Sequence, residues 1–177
     1  MRITLFLAFG IILLAAVLSA LEPGQRLVHS SPYGFGFSYV VDSPSDNIEA
    51  STAAAAGTHT VCLAQDSFEL FHVTVYDPKL KADTPELRRG AQGNARLELR
   101  EGGRDFETVR LAGVPAWTFT RLFEGGEGMR RILWLEKGGR LFRIKCQLSA
   151  TRQDQLGSES FARTLAGNAI LASFRLR

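Results

Sequence analysis

Cysteine and histidine are scarce in this chain: two of the first and three of the second in 177 residues. The close Cys/His spacings that build zinc knuckles or helical zinc sites are therefore absent. No Gly-x-Ser-x-Gly occurs, and no glycine loop ends in Lys-Ser or Lys-Thr. That removes the nucleophile elbow of an α/β hydrolase and the phosphate cradle of a nucleotide-binding loop. Carboxylates are scattered without a paired arrangement for acid–base work. There is no internal repeat and no sign of a second domain. Lys and Arg exceed Asp and Glu by 21 to 18, a surplus too small to demand nucleic acid or membrane as a partner.

What is present begins with a long apolar run. Met1-Arg2 precedes Ile3 to Leu21, which carries no charge and ends near the small residues Ser19 and Ala20. A basic start followed by such a run describes a secretory signal. The run is also long enough to cross a bilayer as a helix. Residues 1–21 thus read as a signal peptide or a retained membrane anchor, with removal favoured. Either way the remainder lies outside the cytoplasm, periplasmic or otherwise extracytoplasmic, tethered to the inner membrane in the second case. No cysteine follows the run, which argues against a lipid-modified N-terminus. Residues 22–32, with Glu22-Pro23-Gly24 and Ser30-Ser31-Pro32, read as a linker, and residues 33–177 as a single domain.

Within that domain the clearest pattern is Arg140 to Leu148. Phe142, Ile144, Cys146 and Leu148 alternate with Arg143, Lys145 and Gln147, as in a strand with one buried and one wet face. Lys137-Gly138-Gly139 supplies a hairpin turn before it. Arg131 to Glu136 is apolar on both sides and belongs near the sheet centre, and Val114 to Phe123 makes a further strand. The whole reads as an antiparallel meander. Upstream, Tyr33 to Val41 alternates, and Thr58 to Leu63 with Phe68 to Tyr76 predicts a hairpin. Ile48 to Gly57 reads equally as helix, loop or strand edge. Thr84-Pro85-Glu86 opens a helix with a cap, an N1 proline and an acidic first turn. A second helix is predicted over Asp154 to Ala172, then a short terminal strand at Ser173 to Leu176.

This order of elements, the opening Tyr33-Gly34-Phe35-Gly36-Phe37-Ser38-Tyr39 and the closing Ile170-Leu171-Ala172-Ser173-Phe174-Arg175 resemble the PsbP-like family, which includes the bacterial DcrB-like exported proteins. The resemblance covers Tyr33 to Arg177. It implies an α+β fold, an α-β-α sandwich around an antiparallel sheet, in small exported proteins that mostly lack known catalysis. DcrB-like members are often lipid-anchored through a cysteine that this chain does not have.

Three sets of residues are candidates for function. Arg121, Arg131, Arg143 and Lys145 would form a cationic stripe if the meander strands align, facing an acidic protein or an anionic envelope component. The plainer alternative, a solvated face with edge-protecting charges, is favoured because Glu124, Glu127 and Glu136 dilute the stripe. His59 and His72 lie on neighbouring predicted strands with Asp66 in the turn between, a conceivable transition-metal set, though strand-surface histidines are far commoner. Cys62 and Cys146 can form a disulfide in an oxidising compartment or can each be a small buried hydrophobe, the favoured alternative. No cofactor is implied, and nucleic acid ranks low for want of aromatics among the cations. The expectation is an exported, non-enzymatic accessory or binding protein of the cell envelope. The alternatives are a metal-binding or small-ligand protein or enzyme with a sheet–helix cleft, and a membrane-anchored structural subunit.

Overall fold

The computed structural model describes residues 26–40, 47–65, 68–122, 129–148 and 160–177. In chain order the elements are β1 (Arg26–Ser31), β2 (Phe35–Val40), β3 (Asn47–Ala53), a 3-10 turn at Ala54–Ala56, β4 (Thr58–Gln65), β5 (Phe68–Tyr76), α1 (Pro85–Arg100), β6 (Gly103–Leu111), β7 (Val114–Leu122), β8 (Met129–Lys137), β9 (Arg140–Gln147), α2 (Phe161–Gly167), α3 (Ala169–Ser173) and β10 (Arg175–Leu176). The predicted signal or anchor, residues 1–21, lies outside the described residues. Among those described, no helix is long and apolar enough to cross a membrane.

Seven strands form one antiparallel sheet in the order β3-β4-β5-β9-β8-β7-β6. The meander makes one side of it, from β9 in the middle out through β8 and β7, with β6 added as a fourth strand at the edge. Gly138 and Gly139 turn β8 into β9 with φ of 60° and 74°, the paired positive values a tight two-residue hairpin needs. The alternation in β9 fixes the register: Phe142, Ile144, Cys146 and Leu148 are all buried on the inner face.

That inner face is closed by a second, three-stranded sheet, β1-β2-β10, together with α2 and α3. Phe35 and Phe37 of β2, Phe161, Leu171 and Phe174 meet Val61, Phe71, Val73, Leu133 and Ile144 of the large sheet in one core. Each fully buried aromatic or aliphatic side chain there contributes about 1.5–3 kcal/mol relative to exposure. The stretch read as a linker thus holds a strand: β1 pairs with β2 along its whole length. The single C-terminal helix is instead two short ones, broken at Asn168, whose Oδ1 accepts the Leu171 N–H at 2.9 Å and restarts the helix as a cap. Ala169 and Ala172 are exposed, and the described part of the burial falls to Phe161, Thr164 and Leu171.

The outer face is not simply wet, as β9 alone implied. Helix α1, capped by Thr84 Oγ1 accepting from the Leu87 N–H at 3.2 Å, lays Ala91 and Ala95 over Phe119, Ile132, Trp134 and Leu141. The molecule is therefore α+β, its large sheet sandwiched between α1 on one side and the small sheet with α2 and α3 on the other.

Candidate functional site

Two faces and one register decide where the charged side chains go. On β8, Arg131 pairs with Cys146 and Thr120, which sets its side chain on the inner face. It is fully buried, and its Nη1 lies 3.3 Å from Glu107 Oε1, which also accepts the Phe161 N–H at 2.8 Å. Arg131 therefore ties β8 to the start of α2 and takes no part in an outward stripe. Its neighbour Arg130 occupies the outer position, directly across from Arg121.

Arg143 does face outward, but α1 covers it. Its Nε and Nη2 donate to the two carboxylate oxygens of Glu98, each at 2.8 Å, and its guanidinium sits 5.7 Å from the Trp134 ring centroid. A bidentate, half-buried pair of this kind holds a helix on a sheet and leaves no free cation for a partner. Arg121 is 3.7 Å from Glu101 at the end of the same helix.

Past that end of α1 the outer face carries a cluster centred on Glu69. Leu63 pairs with Phe71 but Ala64 pairs with Glu69, so Leu70 is an extra residue on β5. A bulge of this kind re-aims the side chain beside it, and here it turns Glu69 to the face that His72 occupies. Glu69 Oε1 lies 3.1 Å from His72 Nδ1 and 3.6 Å from both Lys145 Nζ and Arg130 Nη1. The hydrogen bond with His72, helped by the two cations, holds the Glu69 carboxyl down at about 2. Lys145 moves the other way to what an ion pair would give. Burial, and then Arg143, push its ammonium below the usual lysine range, because one carboxylate divided among three donors returns less than leaving water costs.

Cys62 is the cross-strand partner of His72, and Cys62, Glu69 and His72 offer ligand atoms within 4.8 Å of one another. The donor set would suit a soft divalent cation, yet two cations already crowd the same carboxylate and oppose a third positive charge. The order Cys–His–Glu also resembles a nucleophile, base and orienting acid. Its geometry does not serve that chemistry: His72 Nε2 is engaged by Thr74 Oγ1 at 3.1 Å. Burial, and after it the charges of Glu69 and Glu49, push the Cys62 thiol up and keep it protonated.

The metal set expected from His59, His72 and Asp66 is not brought together. His59 lies on the inner face, stacked on Tyr33 at 4.1 Å with Nδ1 2.9 Å from Thr52 Oγ1, whereas His72 lies on the outer face. Asp66 is outside the described residues. The two cysteines are not bonded to each other. Their strands flank β5 on either side, and Cys146 points inward while Cys62 points outward. Two strand spacings, about 9–10 Å, exceed the reach of a disulfide.

A separate concavity of about 480 Å³ opens where β1, β2, α3 and β10 meet, and Arg26, Arg175 and Arg177 line it. Sequence reasoning missed these residues. The signal was there in Arg175-Leu176-Arg177, where two cations share one side of a short strand.

No protein-family model matches the chain, and no curated protein matches it. Among solved structures it is similar to the solution structure of cyanobacterial PsbP (CyanoP) from Synechocystis sp. PCC 6803. The two are 12% identical with a TM-score of 0.54, over 90% of this chain and 96% of that one. At such low identity the likeness concerns the backbone architecture, and it makes the fold PsbP-like.

Proposed function

We propose that the protein is an exported, non-enzymatic accessory protein of the cell envelope, which docks an acidic envelope protein through the outer face of its large sheet. The observation that carries this reading is the gathering of Arg130, Lys145 and His72 on the single carboxylate of Glu69. Donors exceed acceptors there, so that end of the face attracts negative charge. The PsbP-like fold agrees with an accessory role, and the quoted opening and closing motifs favour kinship with the DcrB-like exported proteins. Export rests on the apolar run at residues 3–21, and intact mass of the native chain separates a cleaved signal from a retained anchor.

Charge reversal tests the docking face. Arg121 and Arg130 are partly exposed, so Arg121→Glu with Arg130→Glu should fold and should lose the acidic partners that wild type retains from an envelope extract at low salt. Capture that survives both substitutions, or that is indifferent to salt, rejects this face as the interface.

A further inference from the structure

The geometry points to a second binding site, on the small sheet, for a phosphate-type anion joined to a small apolar group. It is independent of the Glu69 cluster, which belongs to the large sheet.

The concavity of about 480 Å³ is bounded by Arg26 and Val28 of β1, Ser38 of β2, Ala172 of α3, and the closing Arg175 and Arg177. Its size falls within the range of sites for small organic molecules. Its wall is fixed: Ser173 Oγ accepts the Ser38 N–H at 2.7 Å, pinning α3 to β2, and its one proton lies between the Ile170 carbonyl at 2.8 Å and the Ser38 carbonyl at 3.1 Å. Among the described residues no Asp or Glu lines it.

That absence leaves the cavity's exposed cations unmatched, whereas the buried and half-buried arginines of the large sheet are each paired with a carboxylate. Arg130, Arg131, Arg140 and Arg143 each lie within 4.0 Å of one. Arg26, Arg175 and Arg177 have none among the described residues. Arg175 is nevertheless held in place, since its Nη1 donates to the carbonyls of Ala172 and Phe174 at 3.0 and 2.8 Å. Those bonds occupy one nitrogen, and the remaining N–H groups of the fork stay available. His29 also lines the cavity, and its Nε2 is buried with no hydrogen-bond partner among the described residues.

Three guanidinium groups around one space repel one another, and an anion between them removes that repulsion. A dianionic phosphate monoester matches three cations better than a monoanionic carboxylate, and arginine forks bind phosphate oxygens in pairs. Val28, 70% exposed, and Ala172 supply an apolar wall beside the charges, room for a short hydrocarbon part of the ligand.

Such a phosphate could be soluble or could be a lipid headgroup, so the test has two arms. The full chain is titrated calorimetrically with glycerol 3-phosphate against neutral glycerol. It is also floated with phosphatidylcholine vesicles with and without phosphatidic acid. Binding is expected in at least one arm, and that arm identifies the source. It should weaken about tenfold or more in Arg26→Gln with Arg175→Gln. It should also weaken below about pH 6 as the phosphate regains its second proton. Arg26→Gln alone, at an exposed residue whose side chain makes no described hydrogen bond, keeps the test valid if the double variant folds poorly. Binding in neither arm, or binding that both variants leave intact, overturns the site.

Discussion

Glu69 owes its role to one extra residue. Without Leu70 bulged out of register, strict alternation along β5 would send Glu69 inward with Phe71 and Val73. Instead it gathers His72, Lys145 and Arg130 on the outer face. Its carboxyl, held at about 2 against an ordinary 4.5, binds a proton less readily folded than unfolded. The associated stability is complete above about pH 4.5 and disappears as pH falls towards 2. Glu69→Gln should therefore cost about 1–2 kcal/mol at neutral pH, less than a sealed ion pair because the side chain is 26% exposed and screened. Urea unfolding of both proteins at pH 7 and pH 2.5 measures it, and a gap that persists undiminished at the lower pH contradicts the assignment. None of this could be read from the sequence, since a bulge leaves the composition of a strand unchanged. The neighbouring arginines of β8 failed for a related reason. Arg130 and Arg131 are adjacent in a strand apolar on both sides, so alternation does not say which one turns inward.

Helices and strands differ in how openly the chain announces them. The meander was legible because β9 alternates with period two and the glycines at 138 and 139 mark the turn before it, each constraint supporting the other. Strand β1 was not, since Arg26-Leu27-Val28-His29-Ser30-Ser31 lies on an edge, is short, and has a polar end that reads as linker. Helix α1 was announced by Thr84-Pro85, but its interior hides a kink. Gly90 has φ 64° and ψ 179°, a conformation essentially closed to other residues. A Cβ there would fall 2.7 Å from Glu136 Oε1, the atom that accepts the Ala91 N–H. The strand residue Glu136 thus caps the second half of the helix at its break. Gly93, one turn on, has no positive φ, and a Cβ would lie 3.1 Å from the Arg89 Cβ, a tight contact that a shift of a few tenths of an ångström on the exposed side of the helix relieves. Two glycines of one helix should therefore respond oppositely to alanine. Gly93→Ala is expected to stabilise by about 0.5–1 kcal/mol, the ordinary helix gain, and Gly90→Ala to destabilise by about 1–3 kcal/mol. Thermal melts of the pair decide it, and a rise in both would show that α1 straightens without loss.

At the scale of the whole molecule, the junction between the two sheets is tied by groups that titrate. Asp77 at the end of β5 accepts from Arg140 Nε at 2.7 Å and from the Lys79 N–H at 2.8 Å, and Arg140 Nη1 reaches across to the Tyr33 carbonyl of the β1–β2 turn at 3.2 Å. Burial works to raise the Asp77 carboxyl, but the Lys79 N–H and Arg140 hold it below its usual range. Along the same junction His29 lies against Phe35 and Phe37, at ring distances of 6.1 and 5.2 Å, and His59 stacks on Tyr33. Burial lowers both imidazoles, with His29 adding to the effect on His59. All three groups bind protons more weakly folded than unfolded, so each lends stability that is present at higher pH and lost on acidification. The histidines act first, as pH falls below their ordinary 6.5, and Asp77 and Glu69 follow below about 4.5. The expected profile of unfolding free energy is level between about pH 7 and 8, then declines on acidification in two limbs, each group contributing at most about 1.4 kcal/mol per pH unit. His29→Phe removes a buried nitrogen that lacks a described partner and keeps an aromatic against Phe37. It should match or exceed wild type at pH 8 and make the upper limb shallower while leaving the lower one in place. A wild-type profile that stays level from pH 7.5 to pH 5, or a variant with the same upper slope, would show that the junction does not feel these imidazoles.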